Sequence, residues 1–462
     1  MKHYEKYQCV DQRWVKSIPS HWEFFRLKRI FAQRVEKNDP IITENILSLT
    51  AKQGVVPYAE KEGSGGNKPK GDMTQYNIAR PNDLLVNCMN IVAGSAGVSR
   101  YFGAISPVYY ALYPRLDCNI WYYHYLFRLM PFQRSLIGLG KGILMHESES
   151  GALNTVRMRI SMDYLGNVNL PIPPRDEQDQ IVRYLDWQVS KINRLITAKR
   201  KQIQLLKERQ KTRIAHIVQC GLDDNAVTRD SGIEYIGIVP SHWLVLQNRR
   251  LFHSMNRIFQ GTPTVLSLSQ KDGLIPYSEM SERSLHTSSY ENWQLVHEND
   301  LVLNRFKAHL GVFFASKYEG IVTFHYGVYE PRKPLVAKYY EALYHTSSYC
   351  RVYAGQSRGM TVGLQNLSDT NFYSTYTVYP PYEEQVEIVS EISRIEKQHS
   401  QIIASIVSQI EMLQDLRTRL ISDVVTGQID VRGIEVPNYE HYDEAPENAT
   451  EESSDSDYEA EE

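Results

Sequence analysis

The sequence predicts a mixed α/β (α+β) fold built from two copies of one globular module, each closed by a long helix. The two helices are expected to pair as an antiparallel coiled coil, which makes the chain pseudo-twofold symmetric. Three observations carry this. Four framework motifs occur twice in the same order, each copy ends in an uninterrupted apolar stripe with helical spacing, and the two stripes carry opposite charge.

The repeat begins with Pro19-Ser20-His21-Trp22, which returns as Pro240-Ser241-His242-Trp243. Leu47-Ser48-Leu49 with Gly54 and Pro57-Tyr58 returns as Leu266-Ser267-Leu268 with Gly273 and Pro276-Tyr277, and Asn82-Asp83-Leu84 with Asn87 as Asn299-Asp300-Leu301 with Asn304. Pro173-Pro174 before Glu177-Gln178 returns as Pro380-Pro381 before Glu384-Gln385. The offset falls from 221 through 219 and 217 to 207, so a shared framework carries connecting segments of diverged length. Solenoid and propeller repeats run to roughly 20 to 50 residues. A period this long means a duplicated domain.

Within each module, short apolar runs bounded by Asn-Asp or Gly turns read as strands: Leu84-Leu85-Val86, Val108 to Leu112, Leu301-Val302-Leu303 and Gly311 to Phe314. Ile120 to Leu129 and Val336 to Tyr344 read as short helices. After Pro173-Pro174, apolar residues recur at Ile181, Leu185, Val189, Ile192, Ile196, Ile203, Leu206, Ile214 and Ile217 up to Gly221. The second stripe runs through Ile392, Ile395, Ile402, Ile406, Ile410, Leu413, Leu416, Leu420 and Val424 to Gly427. Prolines before the first turn, acids within it and a glycine past the end are helix start and stop signals. Each helix should hold about 40 residues and span roughly 60 Å at 1.5 Å per residue. Residues 176–220 carry ten Lys or Arg against five acids, and residues 383–430 carry four against nine. Equal stripes of opposite charge favour pairing with each other over self-pairing.

The 462 residues, 42% hydrophobic, suffice for about three domains. No apolar run approaches the roughly 20 residues of a membrane span, and the start lacks the apolar core of a signal peptide, so a soluble cytoplasmic protein without membrane contact is expected. Five scattered cysteines without a C-x-x-C speak against a disulfide framework or zinc site and predict mostly buried, reduced thiols. The net charge of −3 conceals eleven Asp or Glu and no Lys or Arg within residues 440–462. With that segment set aside the rest is +8. The acidic end predicts a disordered tail.

Motifs that mimic catalytic sites dissolve on inspection. Gly138-Leu139-Gly140-Lys141-Gly142 opens no helix and no partner acid follows it, which leaves a loop. Tyr379-Pro380-Pro381-Tyr382 resembles an adenine methyltransferase motif, but a tyrosine stands where an amide or carboxylate is needed, and Ile172-Pro173-Pro174-Arg175 identifies the place as a joint between domain and helix. Asp83 and Asp300 have no Glu-x-Lys at nuclease spacing and read as structural; Trp22 and Trp243 read as core anchors, with His21 and His242 as their hydrogen-bonded neighbours. Binding signals sit better. Lys52, Gln53, Lys68, Lys70, Arg100 and Lys141 in the first module, and Lys271, Arg305, Lys307, Arg351 and Arg358 in the second, fall in loops among Tyr, Asn and Gln. Such residues can neutralise phosphates while amides and guanidinium groups read base edges.

Two divergent modules, each closed by a Pro-Pro joint and a long helix, with an ending that contains Val425-Thr426-Gly427-Gln428-Ile429-Asp430-Val431, resemble the specificity subunit of type I restriction-modification systems. The resemblance covers nearly the whole chain except the tail, which departs from the family pattern. It implies target recognition domains at 1–175 and 223–381, spacer helices at 176–222 and 382–432, and an acidic tail at 433–462. It further implies a non-catalytic subunit that reads a split sequence in double-stranded DNA and holds no cofactor. Two methyltransferase subunits would use S-adenosylmethionine, and two restriction subunits would use ATP and Mg. Physical reasoning from the residues alone leaves two rivals: a coiled-coil adaptor that binds protein or carbohydrate, and a self-contained modification enzyme.

Overall fold

The computed structural model describes residues 2–50, 54–61, 71–140, 145–147, 153–155, 159–254, 257, 259, 264–269, 273–279, 290, 292–357 and 366–443. The described residues divide into two compact units, residues 2–198 with 409–443, and residues 199–408. Each long helix is therefore shared along its length. The first, Arg175–Cys220, gives its start to unit 1 and its end to unit 2, and the second, Tyr382–Val425, does the reverse.

Unit 1 holds an antiparallel sheet in the order Phe31–Arg34, Tyr109–Pro114, Leu84–Asn87, Ala96–Val98. A second sheet runs Gly54–Pro57, Ile46–Thr50, Gly103–Ile105, Asn77–Ala79, with the middle pair parallel. Unit 2 repeats the first sheet as Phe252–Ser254, Tyr326–Pro331, Leu301–Asn304, Phe313–Ala315. Its second sheet is represented by Leu266–Ser269 with Gly273–Pro276, by Gln294–Val296 with Gly320–Val322, and by a parallel bridge from Val265 to Ile321. The strands at 84–87 and 301–304 are central in their sheets, which is why Leu84, Leu85, Val86, Leu301, Val302 and Leu303 are all buried.

Tyrosine dominates the core of unit 2. Tyr339, Tyr340, Tyr344, Tyr349 and Tyr353 are buried with Trp243, Phe252, Phe313 and Phe372, and most of their ring contacts are edge-on or tilted. Their hydroxyls find acceptors within the core, Tyr344 on Asn248 Oδ1 at 2.8 Å and Tyr339 on the Val218 carbonyl at 2.7 Å, and burial raises the pKa of both. Ile217 and Val218 from the end of the first helix join this core together with Ile388, Ile392 and Ile395 from the start of the second. In unit 1, Tyr122 OH donates to the Val425 carbonyl at 2.8 Å, and Arg417 Nη1 donates to Asn193 Oδ1 at 2.7 Å.

The second long helix stops at Val425, short of the expected 432. Gly427 at φ +70° turns the chain, and Asp430 N donates to the Lys2 carbonyl at 2.9 Å. Residues 433–443, expected to belong to the tail, stay bonded to unit 1: Gln180 Nε2 donates to the Ile434 carbonyl at 2.6 Å, and Tyr442 N to Ser190 Oγ at 3.1 Å. The remainder of the expected tail lies outside the described residues. All five cysteines are free, but only Cys88 is buried; Cys9 is exposed and the others are half-buried.

Candidate nucleic-acid interface

The repeated motifs meet at the joints. In unit 1 Glu177 Oε1 accepts from Trp22 Nε1 at 3.0 Å and from the Tyr4 hydroxyl, while Oε2 lies 2.8 Å from His21 Nε2. In unit 2 Glu384 Oε2 accepts from Trp243 Nε1 at 2.9 Å and lies 2.9 Å from His242 Nε2. The following glutamines match as well. Gln178 Oε1 accepts from Asn119 N at 2.8 Å and its amide donates to the Pro173 carbonyl at 2.8 Å; Gln385 does the same with Val336 N at 3.0 Å and the Pro380 carbonyl at 2.8 Å. Each helix start is thereby pinned to its module by charge-assisted bonds, buried around Glu177 and part-exposed around Glu384.

The turns before the central strands also match. Asn82 and Asn299 take φ of 66° and 65°, a left-handed conformation that asparagine tolerates. Asp83 accepts from Arg80 N and from Arg34 Nε, both at 2.8 Å; Asp300 accepts from His297 N at 2.8 Å and pairs with Arg257. Burial raises the Asp300 pKa, opposed by the His297 amide and Arg257. Both aspartates are structural, as their sequence context indicates.

Of the eleven expected contact residues, Lys52, Gln53, Lys68, Lys70, Lys141, Lys271 and Arg358 lie outside the described residues. Arg100 is exposed, between the strands Ala96–Val98 and Gly103–Ile105, with its guanidinium 5.4 Å from the Trp121 ring centroid. Beside it desolvation drives the pKa of the half-buried His124 down to about 3, with help from Arg128 and Arg100. Arg305 and Lys307 share the 3-10 segment Arg305–Leu310, whose first turn Asn304 caps by accepting from Phe306 N at 3.1 Å. Arg305 Nη2 bonds Asp369 Oδ1 at 2.8 Å, and the same oxygen accepts from the Tyr329 hydroxyl at 2.7 Å, so this guanidinium anchors the segment; Lys307 is exposed. Arg351 is not in a loop. It lies on the helix Ser347–Gln356, which packs on the 3-10 segment and so gathers Arg305, Lys307 and Arg351 on neighbouring elements.

Residues 19–205 match the family described as type I restriction modification DNA specificity domain. That match spans the first module and the first part of the first long helix. No curated protein matches the sequence. Among solved structures, the HsdS subunit from Thermoanaerobacter tengcongensis is 12% identical, with a TM-score of 0.51 over 91% of this chain and 100% of that one. A chain from work described as "Structural basis underlying complex assembly and conformational transition of the type I R-M system" is 12% identical, with a TM-score of 0.55 over 89% of this chain and 99% of that one. At this identity the two likenesses establish the fold alone. Among the described residues no cluster of His, Cys, Asp or Glu could hold a metal ion, and no helix is long and apolar enough to cross a membrane.

Proposed function

We propose that the chain is the non-catalytic specificity subunit of a type I restriction-modification complex. Each module reads one half of a bipartite target in double-stranded DNA. The two long helices pair as an antiparallel coiled coil that sets the spacer and docks two methyltransferase subunits, and two restriction subunits complete the assembly. S-adenosylmethionine, ATP and Mg belong to those partners. The observation that carries this reading is a specificity domain at residues 19–205 followed by a second unit with the same strand order and the same Glu-Trp-His joint.

Further support comes from the helices. Asn193 meets Arg417 in unit 1, while in unit 2 Glu391 is held below its usual carboxylate range by Arg394 first and also by Arg213. One residue number rises as the other falls, which is the order an antiparallel pair requires. Basic residues, Lys52, Lys68, Lys70, Arg100, Lys141, Lys271, Lys307, Arg351 and Arg358 among them, with the amide of Gln53, would supply phosphate and base contacts. A base contact from Arg305 would have to exchange Asp369 for the base edge.

The test is a map of methylated adenines in DNA from cells that express the chain with its partner subunits. The expected result is an asymmetric sequence in two parts separated by a fixed gap. A continuous or palindromic site would overturn the bipartite reading, and binding to DNA with no salt dependence would overturn nucleic-acid recognition altogether.

A further inference from the structure

Unit 2 carries an exposed aromatic group that its framework does not need. Phe324 and His325 form the turn between the strands Gly320–Val322 and Tyr326–Pro331. Their ring centroids lie 4.0 Å apart, and Phe306 from the 3-10 segment approaches His325 at 5.8 Å. Phe324 is 54% exposed, and Lys307, next to Phe306 in the chain, is exposed as well. A large aromatic ring left in water against a second ring is informative where an isolated exposed leucine is not.

The matching places in unit 1 carry nothing of the kind. At the offset of 217 that relates the central strands, Phe324-His325 corresponds to Pro107-Val108, and Phe306-Lys307 to Met89-Asn90. The backbone frame is kept in both: Leu85 and Val302 pair with Ala111 and Val328 at the same positions of the sheet. Framework chemistry is therefore equal in the two units while this turn differs in size, aromaticity and charge. A difference of that kind is what separates two readers built on one scaffold.

We propose that Phe324, backed by His325 and Phe306, is a specificity-determining residue of the second module that packs against the C5-methyl group of a thymine in the major groove, with Lys307 on a neighbouring phosphate. This rests on the DNA-specificity reading above. An apolar ring at the groove floor tells thymine from cytosine by the methyl, which no hydrogen bond reports. Lys307 holds the register without adding sequence information.

The experiment selects randomised duplexes with the full chain and with Phe324→Ala and Phe324→Leu, and then replaces each thymine of the selected site by deoxyuridine. Truncation at an exposed position removes no core contact, and the leucine variant keeps an apolar surface. The expected result is that Phe324→Ala loses its preference at one A·T pair of one half-site only, while Phe324→Leu retains it. Deoxyuridine at that position should weaken wild-type binding about fourfold, the scale of one buried methyl group, and should leave Phe324→Ala unaffected. Uridine sensitivity that persists unchanged in Phe324→Ala overturns the proposal, as does a uniform loss of affinity at all sequences, which would mark the rings as a non-specific stacking surface. Selection of no sequence at all by the wild-type chain would instead remove the specificity reading and this inference with it.

Discussion

At the scale of single residues, the joints turn on one carboxylate each, and the two differ in burial. The side chain of Glu177 is 4% exposed and that of Glu384 22%. Glu177→Ala would strand two buried donors, Trp22 Nε1 and the Tyr4 hydroxyl, for a loss of about 3 kcal/mol; Glu384→Ala strands Trp243 Nε1 and should cost about half as much. Denaturant unfolding of the two variants checks the order. A second residue gives a pH signature. Burial raises the pKa of Asp186 above its ordinary 3.8, against the Tyr125 hydroxyl that donates to it at 2.6 Å and against His441 and Arg100, with Asp443 adding to the rise. The protonated form is thus favoured in the folded chain. Its contribution is complete below 3.8 and is lost as pH rises through the elevated folded value. Asp186→Asn, which keeps an acceptor for Tyr125, should remove this slope and match or exceed wild-type stability at neutral pH. Unfolding free energies between acid and neutral pH read it directly. Asp186 was not legible in the sequence, because burial of one acid among several at a helix start is decided by what packs over it.

At the scale of elements, the start and stop signals of both long helices were legible. Local chemistry fixes them: prolines that cannot continue a strand ladder, acids at the amino end, and a glycine able to turn left-handed at the carboxyl end. The structure adds what each glycine touches. Gly221 at φ +81° sits against Trp243 and Glu384, whereas a Cβ on Gly427 at φ +70° would collide with Pro19 and Trp22. Left-handed backbone costs any other L-residue roughly 1–2 kcal/mol. Gly221→Ala should therefore lose about that much, since the Glu384 side chain can yield. Gly427→Ala should lose clearly more, because a proline ring and a buried indole cannot. Thermal unfolding of both variants tests the difference. The proposed coiled coil makes a further claim on these elements. One added heptad in each helix preserves both stripes and lengthens them by about 10 Å, or roughly three base pairs at 3.4 Å. A target library with variable gaps should then show a new preferred spacer, and an unchanged spacer in an active variant would exclude the ruler.

At the scale of the whole molecule, each unit is completed by residues of both long helices. Unit 1 needs Val425, Gly427 and Asp430 from the far end of the sequence, and unit 2 needs Ile217 and Val218 from the end of the first helix. Module and sequence segment therefore do not coincide. Replacing residues 1–172 by the equivalent module of a relative should still change only one half of the recognised sequence, provided that the replacement keeps Pro19, Trp22 and Tyr4 to seat the chain end. Methylation mapping of the hybrid checks it, and altered recognition at both halves would mean that the modules read DNA jointly.

Legible in the residues alone were the recurring motifs, the places of the central strands and short helices, and the start and stop signals of both long helices. These are properties of periodicity, turn chemistry and repetition, which act over a few residues and survive without knowledge of partners. Which partner each motif takes was settled by the closed fold. It set the Trp of each Pro-Ser-His-Trp on the Glu of its own module's joint, and the glycine after each long helix on the Pro-Ser-His-Trp of the other copy. It also tied Arg305 to Asp369, put Arg351 on a helix, and placed Phe306 beside a turn some eighteen residues away. Contacts at such separations depend on how the sheets and helices close around one core, and no local pattern of side chains records that.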